Sequence, residues 1–153
     1  MDSRFERYTK ELELKFQSLI RMAPVKIDFL PKSTPKGGVY IFSEGKNYLY
    51  VGRTKRTIKT RLKNHVNAAD DCPFAFRLAR EKIGCTKATY TKKDSRQDLL
   101  SRPEFRKAYE EAKQRIKNMD IRYVEEMNPI KQALLEIYVA VVLEAKYNKF
   151  ETS

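Results

Sequence analysis

Gly38-Val39-Tyr40-Ile41-Phe42-Ser43-Glu44-Gly45-Lys46-Asn47-Tyr48-Leu49-Tyr50-Val51-Gly52 holds two β-rich runs on either side of five turn-forming residues. Val39 to Phe42 and Tyr48 to Val51 are β-branched, aromatic or aliphatic, and the residues between them include a glycine, so the spacing predicts a hairpin. If Phe42 faces Tyr48 across the turn, Tyr40 falls opposite Tyr50. Both phenols then leave one face of the hairpin, with Cβ atoms about 5 Å apart. Cross-strand aromatic pairs also stabilise hairpins by themselves, so the pair alone does not demand chemistry.

Downstream of Arg53-Thr54-Lys55, a helix is expected from near Thr57, with Ile58, Leu62 and Val66 on its apolar side. Arg61 and His65 are four apart on it and share a face, which by itself fits ordinary surface residues. Pro73 to Ile83 reads as a second helix, with a proline in its first turn and Gly84 as its stop. The stretch 85–100 carries little pattern beyond a short strand at Ala88 to Thr91. Ser101-Arg102-Pro103-Glu104 is a capping-box pattern for a charged helix to about Lys117. Ile121 to Val124 alternates as a strand, and Asn128-Pro129 opens a long helix through Ile130 to Lys146. Upstream, Phe5, Tyr8, Leu12, Phe16, Leu19 and Ile20 give residues 3–22 the period of one amphipathic helix. Pro24, Pro31, Pro35 and Gly37-Gly38 then make a strap into the sheet. There is no internal repeat or low-complexity segment.

The 153 residues carry 32 Lys+Arg against 20 Asp+Glu, a formal charge of +12, and 41% are apolar. That size suits a single domain over 1–153, and that composition excludes a disordered or collagen-like chain. The charge asks for an anionic partner, nucleic acid first, and argues against an acidic metal buffer. Cys72 and Cys85 have no Cys or His neighbours at metal-ligand spacing and are too few for a disulfide scaffold. Met1-Asp2-Ser3-Arg4-Phe5-Glu6 lacks the pattern of a signal peptide, and the apolar run from Ala133 to Leu143 is broken by Glu136 and too short to span a bilayer. A soluble, intracellular, cytoplasmic protein with no membrane partner is expected.

Glu136 stands out on chemical grounds. Ala133, Val139, Ala140 and Leu143 surround it at helical spacing, and a carboxylate on such a face needs a cation, a set of donors or a proton. A salt bridge to an arginine from another element and a metal ion both answer that need. His65 is the only histidine, which removes two-histidine metal sites and relays. Without a Ser-His-Asp arrangement, a GxxxxGK loop or a CxxC pair, hydrolase triads, nucleotide-binding loops and zinc fingers have no support.

Taken together, Gly38-Val39-Tyr40, then Tyr50-Val51-Gly52, Arg61 and His65 on the next helix, Glu136 on a late helix and Asn148 after it resemble the GIY-YIG endonuclease family. The resemblance covers 38–66 and 120–149 and says little of 1–36 or 67–118. The stretch between Arg61 and Glu136 is longer than in compact members and implies inserted helices. The division that follows is an N-terminal helix and linker over 1–36, a catalytic core of 37–66 and 120–149, and a helical insertion over 67–118. The implied fold is α/β (α+β), a small three-stranded antiparallel sheet flanked by helices, with Ile121 to Val124 as third strand.

The resemblance implies metal-dependent hydrolysis of DNA phosphodiester bonds, leaving a 5′ phosphate and a 3′ hydroxyl. Glu136 would hold one Mg²⁺ or Mn²⁺, a hard cation that accepts a single carboxylate when water and phosphate complete its shell. Tyr40 would be the general base, with its phenol pKa drawn below about 10 by Arg61, and His65 would relay the proton. Tyr50 would orient water or phosphate, and Arg61 would bind developing charge. Arg53 would clamp phosphate, Lys55, Lys59 and Lys63 would add nucleic-acid contacts, and Asn148 would support the local backbone or metal waters. Two rivals stay open: a module of this fold that binds without cutting, and an unrelated basic RNA- or DNA-binding protein. With no obvious second domain, specificity would come from 67–118, the N-terminal helix or a protein partner, and cutting both strands favours a homodimer or sequential nicking.

Overall fold

The computed structural model describes residues 1–84 and 95–150, so Cys85 and the strand expected at Ala88 to Thr91 lie outside the described residues. The chain divides into two compact units, Met1–Leu62 with Met119–Asn148, and Lys63–Asn118 with Lys149–Ser153.

The first unit holds a three-stranded antiparallel sheet flanked by helices. Its strands are β1 (Gly38–Glu44), β2 (Asn47–Thr54) and β3 (Asp120–Glu125), in the order β2-β1-β3. Period-two alternation places Val39, Ile41 and Val51 on one face, where they pack with Phe16 and Leu19 of α2 (Leu12–Arg21) and Leu135, Val139 and Ala140 of α7 (Pro129–Val142). Tyr40 and Phe42 occupy the opposite face, both fully buried, with their rings edge to face at 5.8 Å. The strap adds a bridge between Val25 and Ile121, a 3-10 turn over Ile27–Phe29, and a cap for the helix α3 (Ile58–Asn64): Pro35 O accepts from Ile58 N at 2.9 Å and Thr34 Oγ1 from Lys59 N at 3.0 Å.

The single helix expected over 3–22 is two, α1 (Ser3–Thr9) and α2, interrupted at Lys10 and Glu11. No α1 residue is buried and Phe5 remains 44% exposed, so nothing forces its turns into register with α2, which buries Phe16 and Leu19. At the other end, Asn128 Oδ1 caps α7 by accepting from Ile130 N and Lys131 N. The helix stops at Val142 rather than Lys146. Glu144 takes a positive φ of 51°, Glu144 N bonds Val141 O and Ala145 N bonds Ala140 O, a Schellman closure made without glycine.

The second unit is helical: α4 (Pro73–Ile83), α5 (Arg96–Ser101) and α6 (Pro103–Lys117). Gly84 ends α4 in the left-handed conformation at φ 88°. Phe74, Phe76, Leu99, Phe105, Tyr109 and Ile116 are buried, with the Phe76 and Phe105 rings 5.2 Å apart. The capping box at Ser101 does not form. Ser95 instead caps α5, Ser101 closes it by donating to Asp98 O, and Pro103 opens α6 without a side-chain cap. The segment after α3 is fastened to α6: Tyr109 OH donates to Ala69 O, Lys113 Nζ to Asn67 O at 2.9 Å, and Arg106 pairs with both oxygens of Asp70. Cys72 is a free, buried thiol. Among the described residues, no helix is long and apolar enough to cross a membrane.

Candidate active site

The hairpin brings the tyrosines together, but in a different register from the one their spacing suggests. Glu44 pairs with Asn47 around a two-residue turn in which Gly45 takes φ 59°. Phe42 then pairs with Tyr50 and Ser43 with Tyr48, leaving Leu49 as the extra residue of a β-bulge. The shift puts Tyr40 opposite Gly52 rather than Tyr50. Tyr40 and Tyr50 keep the same face, now as diagonal neighbours.

This register explains two glycines. A Cβ on Gly52 would fall inside the Tyr40 ring and hydroxyl, and a Cβ on Gly38 would fall on the Val124 carbonyl of β3. The glycine beside each tripeptide's tyrosine strand therefore serves close approach. Gly52 lets the phenol lie across β2, and Gly38 lets β3 close on β1.

Tyr40 is fully buried and its hydroxyl accepts from Arg61 Nε at 3.3 Å. Burial raises the phenol pKa well above its ordinary value of 10.0, Tyr50 and Glu136 add to that rise, and Arg61 opposes it. In the protein alone, desolvation thus outweighs the guanidinium, contrary to the expectation of a lowered pKa. The same interactions place Tyr50, Arg61 and Glu136 within electrostatic reach of one hydroxyl.

Glu136 sits on α7, half-buried, with Arg53 Nε at 3.8 Å from its Oε2. That distance is an ion pair beyond hydrogen-bond range, and with the side chains 41% and 25% exposed it contributes about 0–1 kcal/mol. The arginine salt bridge and the metal ion, both open from the sequence, thus meet at this carboxylate. Among the described residues no three His, Cys, Asp or Glu side chains gather into a metal-binding group. A single half-exposed carboxylate suits a hard divalent cation that keeps most of its waters, and does not suit a metal that needs several protein ligands.

Asn148 acts on the backbone of β2. Its Oδ1 accepts from Val51 N and its Nδ2 donates to Val51 O, both at 2.8 Å, as an added strand would. Lys146 N and Tyr147 N bond Tyr48 O and Leu49 O, so this tail covers the sheet's outer edge. Asn148→Leu should cost about 2 kcal/mol by leaving two buried groups of Val51 unpaired, a fall in Tm of roughly 5 °C in thermal denaturation.

His65 is fully buried and lies one residue past α3, in a turn of the second unit. From Gly45 to Ala69 the chain has seven Lys and Arg and no acid. Arg53, Lys55, Arg56 and Lys63 are exposed, whereas Lys59 is partly occupied in holding the strap through Pro31 O at 3.3 Å. The structural role of Gly52 and the identity of the arginine that meets Glu136 escape sequence reasoning, because both depend on the bulge at Leu49 and on where α7 falls against β2.

Over residues 36–148 the chain matches the family model of the GIY-YIG catalytic domain. No curated protein and no solved structure matches it.

Proposed function

The chain belongs to the GIY-YIG catalytic-domain family, whose fold is of nuclease type, and on that premise we propose that it hydrolyses DNA phosphodiester bonds with a divalent cation, leaving a 5′ phosphate and a 3′ hydroxyl. The observation that carries the reading is the Arg61 hydrogen bond to the buried hydroxyl of Tyr40, with Tyr50 and Glu136 in electrostatic reach of that hydroxyl.

Glu136 would hold Mg²⁺ or Mn²⁺; when bound, the ion stabilises charge on the phosphate and leaving oxygen and cancels the field by which the carboxylate raises the Tyr40 pKa. Tyr40 accepts a proton from the attacking water, a role that requires its cationic neighbours to outweigh burial. Arg61, already a donor to the Tyr40 hydroxyl, also directs its planar fork at phosphate oxygens. Tyr50, half-buried on the same face, orients water or phosphate, and Arg53 acts as a phosphate clamp once its hold on Glu136 is relaxed. His65 serves as a proton relay, and Asn148 keeps the Tyr50-Val51-Gly52 strand in place.

Lys55, Lys59 and Lys63, with Arg53, supply sequence-independent contacts to the DNA backbone. Lys55→Ala with Lys63→Ala should reduce the slope of log binding constant against log salt by about 2 while leaving Tm unchanged. Lys59→Ala should reduce that slope less, because its ammonium is engaged by Pro31 O. Target choice would come from 67–118, the N-terminal helices or a protein partner, with a homodimer or successive nicks serving duplex cleavage. A cytoplasmic setting fits this substrate.

A second reading, a fold member that binds DNA without cutting, is favoured by one observation: Arg53 gives Glu136 a partner that needs no metal. The end chemistry of nicked plasmid separates the two. Nicks that DNA ligase reseals directly support hydrolysis to a 5′ phosphate and 3′ hydroxyl. An intact plasmid bound in a salt-sensitive manner supports the binding module.

A further inference from the structure

Gln132 lies in the first turns of α7, only 1% exposed, where an amide is costly unless bonded. Its Nε2 donates to Thr54 O at 3.0 Å and to Glu126 O at 2.5 Å. Thr54 ends β2 and Glu126 follows β3, and Glu126 N in turn donates to Gly37 O at 3.2 Å. Three chain segments therefore meet at one side-chain nitrogen. The place is tightly filled, since a Cβ on Gly37 would come within 3.2 Å of that nitrogen and 3.3 Å of Thr54 O. Oε1 has no hydrogen-bond partner among the described residues, so the NH₂ group carries the polar contacts of the side chain.

The two carbonyls flank the site. Thr54 directly follows Arg53, and Gln132 stands one helical turn before Glu136 on α7, about 6 Å along the axis. Apart from the partly exposed Arg53–Glu136 pair, the α7 contact with the sheet is apolar, through Leu135, Val139 and Ala140 on Val39, Ile41 and Val51. Apolar burial is non-directional: it fixes how close the helix lies and leaves its slide and rotation weakly determined. A hydrogen bond with two defined acceptors removes that freedom.

We propose that Gln132 is a positioning residue for the nuclease site, clamping the ends of β2 and β3 to α7 so that Glu136 is held against Arg53 and within reach of Tyr40. The inference rests on the nuclease reading of that site.

Gln132→Met keeps similar volume and removes both donors. Its kcat for plasmid nicking should fall about 10- to 100-fold with the KM for DNA unchanged, the pattern of a displaced reacting group rather than a lost binding contact. In ¹⁵N spectra its amide shifts should move at Arg53 and Glu136 while those of Val39 and Val139 stay in place, a readout independent of cutting. Gly37→Ala, which crowds the same nitrogen from the other side, should give the same signature at smaller size. Combining Gln132→Met with Arg53→Ala should lose less than the product of the single effects. A folded Gln132→Met protein with wild-type kcat overturns the proposal, as does a loss that follows Tm alone and is recovered by cooling. If wild type cuts no DNA, the nuclease reading fails and the positioning role with it. If wild type cuts and folded Gln132→Met cuts equally fast, only the positioning role fails.

Discussion

Gly52→Ala should destabilise the protein by about 3 kcal/mol, a fall in Tm of roughly 10 °C, and should lower the activity of the remaining folded fraction by about 10²-fold. A methyl group normally improves a strand position relative to glycine, but by less than about 1 kcal/mol. Here the added carbon would overlap the Tyr40 ring, and the ring has nowhere to go, because Tyr40 is fully buried and packed edge to face on Phe42. Overpacking therefore decides the sign. Gly45→Ala is the control: its Cβ meets nothing within 4 Å, so only the cost of a side chain at φ 59°, about 1 kcal/mol, remains. Circular dichroism melts of both variants, with nicking rates normalised to folded protein, measure the difference. Equal melting temperatures for the two would contradict the packing of Tyr40 over Gly52.

Glu136→Gln should leave the fold intact and lower the nicking rate by roughly 10³-fold or more, equivalent to a few kcal/mol of transition-state stabilisation. The magnitudes separate its two possible roles. As a structural partner of Arg53 across 3.8 Å, the carboxylate contributes at most about 1 kcal/mol to stability, so a purely structural Glu136 predicts a small change in Tm and none in catalysis. As the ligand of a divalent cation, it predicts the reverse. Binding of uncut DNA in EDTA should be retained or slightly strengthened, because a negative charge leaves the neighbourhood of the phosphate. Melting curves, filter binding in EDTA and single-turnover nicking on one preparation distinguish these outcomes.

Much of the fold was legible in the sequence where local chemistry and tertiary packing agree. The hairpin, the strand at Ile121 to Val124, the helix from Pro73 to Gly84 and the cap at Asn128-Pro129 each carry their own start or stop signal, and each appears in the structure. The failures share a physical cause. The register of the tyrosines depends on a bulge at Leu49, which puts Tyr48 and Tyr50 on opposite faces, and because both are tyrosines the residue pattern shows no sign of the change. The break at Lys10 follows from α1 burying nothing, which periodicity cannot reveal. The early end of α7 relies on Glu144 adopting a glycine-like conformation. Ser101 satisfied a capping rule that Ser95 and Pro103 fulfil instead.

The candidate site was legible in membership more than in arrangement. Glu136 drew attention because a carboxylate stood on an apolar helical face, and the structure sets it half-buried at the edge of that face beside Arg53. Tyr40 and Arg61 are in hydrogen-bond contact, yet the direction of the phenol pKa reversed, since the depth of Tyr40 in the sheet is a tertiary property. His65 stood four residues from Arg61 but lies beyond the end of α3.

The most direct measurement is conversion of supercoiled plasmid to the open circle by purified protein in Mg²⁺, in Mn²⁺ and in EDTA, with Glu136→Ala and Tyr40→Phe alongside wild type. The nuclease account predicts nicking by wild type in either metal, none in EDTA, and none by either variant under any condition, while all three proteins bind DNA with similar salt dependence. Nicking by Glu136→Ala at the wild-type rate, or no cleavage by wild type in either metal despite salt-sensitive binding, would contradict it.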